Sequence, residues 1–451
     1  SNADSDGACD IYDDCPYDAE DDADADGQCG DVDPCPYDAE DDADSDGLCG
    51  DVDTCPYDAE NDADGDTVCG DEDVCDGGDD TLDSDGDGMP DACDVDLNLH
   101  DGNNLVSFHA LPAEGLDVST FFGNSAVDQI IGEGVSAVIN NAGNWVGSLD
   151  AIDAESGYWL RTDVSHTLEV QGAMTSPSYT LHEASNLLSY PHIENMSIGD
   201  ALPDDVEDIT FAIVGEGLAS INIGSGSNYW VGSLADAGFN GGKGYWFATT
   251  LEGFDTVDFE YNSPSADTRT FAAPFEMPVK PAGFEYAQST QQAFYFVKSA
   301  TDAEGRSLKE DTHWIVAYKE NVVVGAWPWN GNYTTVPAMG SMSDEFTVGY
   351  MEEGDMPTFK LLDTNTGETT DMRVVSDLQG WSNNSAYVVE LEAAPAIPDM
   401  VSLNKAYPNP FNPSTNLTFD IPAEMHVSLA VYDVAGRLVE QLVNEVRTAE
   451  S

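Results

Sequence analysis

Basic side chains are scarce in this sequence. Its 451 residues include 13 Lys and Arg against 87 Asp and Glu, and the formal net charge is -74 at pH 7. Residues 1–96 contain 38 acidic side chains and no basic one, and the first basic residue is Arg161. Nucleic acids and anionic membranes repel such a chain, which excludes both as electrostatic partners and leaves cations as the natural ones.

Cysteine is absent after Cys93, although nine cysteines lie between Cys9 and that residue. The absence excludes thiol catalysis from residues 94–451. Clustered cysteines in a segment without an apolar core indicate disulfides and an oxidising compartment. Zinc binding is the rival interpretation, but the C-x2-C and His spacings of zinc modules are missing.

Long apolar runs are absent as well. None approaches the ~18 residues of a membrane-spanning helix, so we expect no membrane insertion. No signal peptide is visible, and the opening "SNA" resembles an expression remnant. We therefore expect that a natural leader has been removed.

The acidic segment contains a string that repeats every 20 residues. "CPYDAEDDADSDGLCG" at 35–50 nearly copies residues 15–30 and returns, altered, at 55–70. A twelve-residue calcium loop takes oxygen ligands from positions 1, 3, 5, 7 and 12, with glycine at position 6 for a sharp turn. The acidic residues match this spacing in four loops and one partial loop, which predicts that several Ca²⁺ ions bind here.

The predicted ligands are all aspartates. A disordered acidic tract is the alternative, but loops in phase with regularly spaced cysteines argue against it. EF-hands and dockerins are excluded because no apolar helical stripe flanks the loops. The ligands are Asp4, Asp6 and Asp13 in the partial loop, then Asp22, Asp24, Asp26 and Asp33, then Asp42, Asp44, Asp46 and Asp53, then Asp62, Asp64, Asp66 and Asp73, and finally Asp83, Asp85, Asp87, Asp91 and Asp94.

Residues 4–96 resemble thrombospondin type 3 repeats, through "DSDGDGMPDACD" (83–94) and the recurring "CPYDAE". The resemblance implies an irregular rod that is filled with calcium and stapled by disulfides. The spacer before each Asp series is one residue shorter than is usual in that family. Thr67 also replaces the position-6 glycine, so we expect the third full loop to bind calcium most weakly.

The resemblance further implies that consecutive cysteines pair. The cysteine spacing by itself also allows pairing across the shorter gaps, which leaves Cys93 over. Pairing across the longer gaps leaves Cys9 to a partner upstream, and each bridge closes a loop of about 15 residues, worth ~3 kcal/mol. The implied pairs are Cys15–Cys29, Cys35–Cys49, Cys55–Cys69 and Cys75–Cys93.

Residues 97–267 contain an internal duplication of about 85 residues, in units at about 97–178 and 179–267. Alternating patterns punctuated by Gly and Asn predict β units, with short helical turns near 117–123 and 196–202. The clearest matches are "GNNLVSF" (102–108) with "ASNLLSY" (184–190), "NWVGSL" (144–149) with "YWVGSL" (229–234), and "SGYWLRT" (156–162) with "KGYWFAT" (243–249).

Four tryptophans, Trp145, Trp159, Trp230 and Trp246, recur with the duplication. A sugar-stacking platform would use such aromatic faces. Tryptophan beside glycine in a strand more commonly fills the core of a small β domain, and we favour that interpretation. The units also loosely resemble repeats that lie beside sorting tails in large bacterial surface proteins.

Residues 268–397 are predicted to form a β-sandwich-like domain. "HWIVAYKENVVVGAWPW" (313–329) has the pattern of a hairpin, and alternating strands follow it. Trp327 and Trp329 flank Pro328 and are the candidates for an exposed aromatic patch that binds a partner.

Residues 398–451 resemble part of a type IX secretion sorting domain, an Ig-like β module. The resemblance implies export by the type IX secretion machinery of a Gram-negative bacterium, and a location outside the cell or on its outer surface. Residues 437–443 form a strand in that family, which we expect here although their apolar residues also fit helical spacing. The matching strings are "YPNPFNP" (407–413), "LTFDI" (417–421) and "VYDVAGR" (431–437).

Catalytic signatures are missing. His182-Glu183 begins like a zincin motif, but Asn186 stands where the second His would be, and no nucleophile elbow, phosphate loop or Rossmann fingerprint is present. We therefore predict that the protein is not an enzyme. Its expected fold is mainly β: an irregular calcium-loop rod, then β-sandwich-like domains and an Ig-like C-terminal segment.

The predicted function is structural or adhesive, in a secreted or cell-surface protein whose rod presents β domains to a cell-surface glycan or protein ligand. One alternative is a glycan-binding accessory region of a secreted polysaccharide-degrading enzyme. Another is a hydrolase with an unrecognised pair of carboxylates, because acidic residues are too frequent for the sequence to exclude such a pair.

Overall fold

The computed structural model describes most of the chain, and within that part the fold is mainly β, as predicted. No described helix is both long and apolar enough to cross a membrane. The chain forms two compact units: unit 1 is Ser1–Ile209 with Gly238–Pro274, and unit 2 is Thr210–Ala237 with Phe275–Ser451. The described residues are 4, 14–63, 65–70, 72–75, 77–224, 229–253, 255–264, 275, 277–303, 305–308, 310, 312–344, 346–394, 401–410 and 412–447.

The acidic segment is a succession of turns, and its described part, residues 14–93, contains no strand or helix. Disulfides staple it across the longer cysteine gaps, which is the pairing that the sequence led us to expect. Because each bridge closes one loop, the chain entropy of every repeat is reduced separately. The bridges are Cys15–Cys29, Cys35–Cys49, Cys55–Cys69 and Cys75–Cys93.

Successive repeats are tied by the same side-chain hydrogen bond. The Tyr37 hydroxyl donates to Glu20 Oε2 at 2.6 Å, and the Tyr57 hydroxyl donates to Glu40 Oε2 at 2.5 Å. Both bonds join residues 17 positions apart. The 20-residue sequence period is therefore also a period of the three-dimensional contacts.

The duplicated part follows, and its described residues form 16 strands and four short helices. The helices α1 and α2 lie at the two predicted helical turns. In chain order the elements are β1 (Asp94–Leu99), β2 (Gly102–Val106), β3 (Ala110–Leu111), α1 (Val118–Phe121), β4 (Val127–Ile131), β5 (Ser136–Ile139), β6 (Trp145–Gly147), β7 (Tyr158–Thr162), β8 (His166–Gln171), β9 (Ala173–Met174), β10 (Tyr179–Leu181), β11 (Ser185–Leu188), α2 (Ile198–Ala201), α3 (Asp204–Ile209), β12 (Thr210–Val214), β13 (Ala219–Asn222), β14 (Trp230–Val231), α4 (Ser233–Ala237), β15 (Tyr245–Thr249) and β16 (Val257–Phe259).

The strand pairings reproduce the duplication seen in the sequence. Pairs β1–β8, β2–β7, β4–β5 and β5–β6 of the first repeat correspond to β10–β16, β11–β15, β12–β13 and β13–β14 of the second. All eight pairs are antiparallel. The similar strings therefore code for the same local β structure, although the second repeat contributes residues to both compact units.

The acidic segment continues directly into the first repeat. Strand β1 begins at Asp94, the last residue of the fourth predicted loop, and pairs with β8. The Gly172 backbone N–H donates to the Cys93 carbonyl at 3.0 Å, and the Gln171 amide donates to Asp87 Oδ2 at 2.7 Å. The boundary that we placed between residues 96 and 97 thus falls inside a strand.

Within unit 1, the two repeats contact each other through equivalent positions. Val106 forms a β-bridge with Lys243, and Leu188, the counterpart of Val106, forms one with Ser156, the counterpart of Lys243. Such a reciprocal pair of contacts is the mark of a local two-fold relation. In unit 1 the repeats accordingly form one pseudo-symmetric body.

A small apolar core lies at this inter-repeat contact. It contains Leu105 and its counterpart Leu187, both buried, with Trp159 buried at 2% exposure and Trp246 half-buried against them. Trp145 also packs against the core of its own repeat. For these three tryptophans the structure therefore supports the core interpretation over a sugar-stacking platform.

An ion pair joins the repeats at the rim of this contact. His182 Nε2 lies 2.6 Å from Glu133 Oε1, and the Leu187 backbone N–H donates to Glu133 Oε2 at 2.7 Å. The Glu183 carbonyl, which accepts from His182 Nδ1, raises the pKa of this histidine, and Glu133 raises it further. The stability that the protonated His182 contributes is therefore complete below the ordinary histidine pKa of 6.5. It is lost as the pH rises through the raised pKa.

We expect the substitution Glu133→Gln to lower the pKa of His182, because it removes the negative charge beside the ring. The measurement is an NMR titration of the imidazole protons in the full chain. Glu183→Gln is the matched control, since that residue contributes its backbone carbonyl and should leave the pKa unchanged. The loss of stability near pH 6 should be small, about 0–1 kcal/mol. An unchanged His182 pKa in Glu133→Gln would contradict the assignment.

Unit 2 is built around one seven-stranded sheet. Neighbouring strands are antiparallel except for β17 and β23, which are parallel. The strands are β17 (Gln292–Thr301), β18 (His313–Lys319), β19 (Val322–Pro328), β20 (Thr334–Met339), β21 (Thr358–Asp363), β22 (Thr369–Val374) and β23 (Ala386–Ala393), in the order β19-β18-β21-β22-β23-β17-β20.

This sheet rolls up until its two end strands meet. A Cβ atom on Gly325 of β19 would lie 1.7 Å from the Pro337 carbonyl oxygen of β20. The core of the domain, which includes Tyr295, Ile315 and Phe359, therefore lies inside one nearly closed sheet rather than between two stacked sheets. This part of the chain is thus β-rich, as predicted, but its packing is that of one rolled sheet.

Residues 210–224 and 229–237 cover part of the outer face of the rolled sheet. The Gln292 amide donates to the Gly215 carbonyl at 2.8 Å, and the Ser233 backbone N–H donates to Thr335 Oγ1 at 3.0 Å. Strand β17 consequently has buried residues on both faces, including Phe294 and Tyr295. A continuous apolar strand is the expected sequence pattern for such a position.

The expected exposed patch at Trp327 and Trp329 is wrong. The two side chains are 4% and 3% exposed and belong to the core of the rolled sheet. Pro328 ends strand β19 between them without turning either ring into solvent. Replacing either tryptophan would therefore disturb the packing of this core.

The C-terminal residues form two hairpin-like pairs, β24 (Ser402–Leu403) with β25 (Phe419–Asp420), and β26 (Met425–Tyr432) with β27 (Leu438–Arg447). Strand β27 confirms the choice of strand over helix. The boundary at 397/398 lies outside the described residues.

Candidate metal centre

The twelve-residue loops share one turn geometry. Gly27, at position 6, has φ of +101°, and its backbone N–H donates to Asp22 Oδ2 at 3.0 Å. A positive φ is easily adopted by glycine, which explains the residue type at this position. The equivalent bonds in the other three loops are Gly47 to Asp42 (3.0 Å), Thr67 to Asp62 (3.1 Å) and Gly88 to Asp83 (3.1 Å).

Thr67 adopts the same turn at a steric cost. Its φ of +81° lies in the left-handed region, which β-branched residues rarely occupy. The third loop keeps the Asp62 hydrogen bond but pays for it in backbone strain. This strain agrees with the expectation that the third loop is the weakest site.

Three loops bring their first three aspartates together. In each, one carboxylate oxygen per residue lies within 4.8 Å of the other two. Two oxygens that each lie ~2.4 Å from one Ca²⁺ ion can be no more than about 5 Å apart, so the clusters have the right size for this ion. The three groups are Asp22, Asp24 and Asp26; Asp42, Asp44 and Asp46; and Asp83, Asp85 and Asp87.

Several of these carboxylate oxygens are hidden from water without a hydrogen-bond partner. They are Asp22 Oδ1 and Asp24 Oδ2 in one loop, and Asp42 Oδ1 and Asp44 Oδ2 at the same positions of the next. A charged oxygen in that state is costly unless a cation or a donor compensates it. The recurrence at equivalent positions fits a cation ligand set that is repeated with the loops.

Burial and then the surrounding charges raise the pKa of two carboxyl groups in these clusters. Partial burial raises the pKa of Asp44, and the nearby Asp46 and Asp53 charges raise it further, against a lowering hydrogen bond from the Asp46 backbone. Burial likewise raises the pKa of Asp41, followed by the charges of Asp33 and Asp26. A bound divalent cation would reverse these effects by placing positive charge among the carboxylates.

A further cluster joins one loop to the next. Asp26 and the buried Asp33, both predicted ligands, come together with Asp41, which we did not predict. Asp41 lies outside the twelve-residue template, so the template could not identify it. The sequence signal that could have identified it is the 20-residue repeat, in which Asp21, Asp41 and Asn61 occupy the same position. These three residues also share a positive φ, of 59°, 58° and 58°.

The next repeat has an amide in place of the third carboxylate of this cluster. Asn61 stands at the position of Asp41, and its side-chain amide donates to Asp46 Oδ2 at 2.7 Å. A neutral donor therefore satisfies the carboxylate there. Asp41 thus adds a negative charge to its cluster, whereas Asn61, at the same position of the next repeat, supplies a neutral hydrogen-bond donor.

The fourth loop shares its ligands with the first β repeat. Asp85 and Asp94 cluster with Asp96, a residue of strand β1 that the sequence reasoning also missed. Burial raises the pKa of Asp94 to about 6, and the charge of Asp96 is the next largest cause. Asp94 Oδ1 is also buried without a hydrogen-bond partner. A cation here would contact both the rod and the β unit.

The remaining predicted ligands fall into three groups. Asp53 and Asp73 accept hydrogen bonds from the backbone N–H groups of Cys55 and Cys75 at 2.8 and 2.6 Å, and Asp91 accepts from that of Ser84 at 2.7 Å. None of the three belongs to a described carboxylate cluster. Asp4 and the pair Asp62 and Asp66 are described but not clustered, whereas Asp6, Asp13 and Asp64 lie outside the described residues.

Comparisons with protein-family models, with curated proteins and with solved structures found no match to this chain.

We expect Asp41→Asn to abolish one calcium site or weaken it by at least about tenfold, because ligand charge sets calcium affinity over several orders of magnitude. The measurement is isothermal titration of calcium into the full, chelator-treated chain. The fold should survive, since Asn61 already occupies the equivalent position.

Asp31→Asn is the matched control, because Asp31 is exposed and lies in no described cluster. It removes the same charge from the same repeat and should leave the number of sites unchanged. Equal titrations for wild type and Asp41→Asn would show that Asp41 is not a ligand.

Proposed function

We propose that this protein is a secreted or cell-surface structural protein, in which a calcium-stiffened and disulfide-stapled spacer presents β domains to a partner. The observation that carries the proposal is the recurrence of shielded, unpartnered carboxylate oxygens at equivalent positions of successive loops. Calcium is the favoured ion because the donors are all oxygens and because the loop spacing suits its coordination.

Calcium and disulfides would act on different parts of the same repeat. The bridges limit the unfolded chain, whereas the ions cancel the repulsion that the folded loops create. In residues 1–96 no Lys or Arg can do this instead. With calcium bound, a rod of this composition would therefore be extended and ordered. Without calcium, the disulfides alone would constrain its loops.

The proposed location is outside the cell. Four disulfides indicate an oxidising compartment. Extracellular calcium modules bind the ion weakly, with dissociation constants of ~10⁻⁴–10⁻³ M, and loops of this kind can reach such an affinity. The resemblance of the C-terminal segment to type IX sorting domains supports a Gram-negative surface protein and the secretion machinery as a partner.

A hydrolase remains a separate hypothesis that nothing described here favours. The glycan-binding alternative has a specific observation in its support, a polar pocket in unit 2.

The proposal is tested by limited proteolysis with two proteases of different specificity. A glutamyl endopeptidase can cut the rod at Glu20, Glu40 and Glu60, whereas a lysyl endopeptidase has no site before Lys243. We expect chelation to speed the glutamyl cuts in the rod by at least about tenfold, because local opening controls cleavage. Lysyl cleavage of the β part should not change.

Restoring calcium after chelation should restore the slow cleavage, which separates ion loss from irreversible damage. Disulfides stay intact throughout because no reductant is added. Equal cleavage at Glu20, Glu40 and Glu60 with and without calcium would refute the stiff-spacer function.

A further inference from the structure

A polar pocket of about 220 Å³ lies within unit 2. One wall comes from β14 and α4 of the second repeat, and the other from β19, the start of β20 and the residues that join them. Both walls belong to the same compact unit. The lining side chains include Trp230, Asp236, Trp327, Asn330, Asn332 and Tyr333.

The backbone around this pocket is held by serine and threonine side chains. The Ser233 backbone N–H donates to Thr335 Oγ1 at 3.0 Å, and the Asn330 backbone N–H donates to Thr334 Oγ1 at 3.0 Å. Tyr333 has φ of +65°, a conformation that bulky residues seldom adopt and that is often found at functional sites. The walls are therefore fixed by local hydrogen bonds before any ligand arrives.

Three polar side chains of the pocket are free to bind. Asp236, Asn330 and Asn332 are exposed. Within the described parts of the chain, none of their side-chain groups forms a hydrogen bond or an ion pair. A carboxylate supplies acceptors, and two amides supply both donors and acceptors. Trp230, half-buried beside them, adds an aromatic surface.

This combination fits a ring that is apolar on its faces and carries hydroxyl groups around its edge. We propose that the pocket binds one sugar residue of a neutral polysaccharide, with Trp230 against the ring and with Asp236, Asn330 and Asn332 on its hydroxyls. The inference rests on the proposed function, because it names the kind of partner that the β domains present.

Size and charge narrow the ligand class. Pockets for drug-sized molecules have ~300–1,000 Å³, so the present volume suits a single small ring rather than a multi-ring cofactor. Anionic ligands, including acidic polysaccharides, are disfavoured by Asp236 and by the net charge of -74. A calcium ion would need six to eight oxygens, more than one carboxylate and two amides provide.

The first repeat carries the same string without the same site. "WVGSL" occurs at 145–149 and at 230–234, but Ala151 stands in the first repeat where Asp236 stands in the second. Trp145 also packs against the core of its own repeat. The first repeat has its carboxylate one position earlier, at Asp150, so the position of Asp236 is a departure from the duplicated pattern.

The test uses the full chain in calcium buffer against a panel of soluble glucans, mannans, galactans and xylans, with affinity measured by calorimetry. We expect one class to bind and to quench tryptophan fluorescence. Asp236→Asn and Asn332→Ala should each weaken binding by about tenfold or more, and Trp230→Ala should abolish it. Asn321→Ala, at an exposed turn away from the pocket, is the matched control and should bind normally.

Asp236→Asn is nearly isosteric and exposed, so it keeps the test valid if Trp230→Ala fails to fold. The inference is overturned if no neutral polysaccharide binds, if binding persists in Asp236→Asn and Asn332→Ala, or if the chain takes up amino-sugar polymers alone. Binding should survive chelation, because the pocket contains no calcium loop. Loss of glycan binding with intact calcium-dependent protease resistance would therefore reject this inference and leave the proposed function standing.

Discussion

The N-terminal part of this protein depends on compensation of carboxylate charge. Its loops point aspartate oxygens at one another, and some of those oxygens are shielded from water without a donor. The segment has no basic side chain of its own to neutralise them. A bound divalent cation would therefore favour the loop geometry, and for this reason the proposed function gives the ion a structural role.

Where carboxylates of two neighbouring elements bind one ion, the dependence on cations would extend along the acidic segment. Asp26 and Asp33 meet Asp41 of the following repeat, and Asp85 and Asp94 meet Asp96 of strand β1. An ion at either place contacts two consecutive elements, so its binding orders the connection as well as the loop. The tyrosine–glutamate hydrogen bonds between repeats add directional contacts to this electrostatic coupling.

Much of the carboxylate clustering could be predicted from the sequence, because the twelve-residue loop is a local pattern. Twelve consecutive residues contain both the ligands and the turn glycine, and the cysteines bracket them at constant spacing. Asp41 and Asp96 were not predicted, because the prediction considered only the residues within each twelve-residue loop. Each completes a cluster from outside the twelve-residue window, and Asn61 shows that the repeat position itself does not dictate a carboxylate.

Burial in the β part was harder to predict. Trp327 and Trp329 were the candidates for an exposed aromatic patch, yet both lie in the core. Val427, Leu429 and Val431 alternate along strand β26, yet these side chains are half-buried or exposed in the β26–β27 hairpin. Alternation shows which side chains share a face of a strand, and says nothing about what covers that face.

The sequence by itself determined the features that short-range chemistry controls: the loop period, the turn geometry, the strand-rich duplication and the acidic character of the rod. Tertiary structure decided how the seven-stranded sheet rolls up, how the repeats pair through Val106 and Leu188, and how Trp230 comes to share a pocket with Asn330. These contacts join residues that are far apart in the chain. Their formation depends on the topology of the whole sheet, which no local pattern specifies.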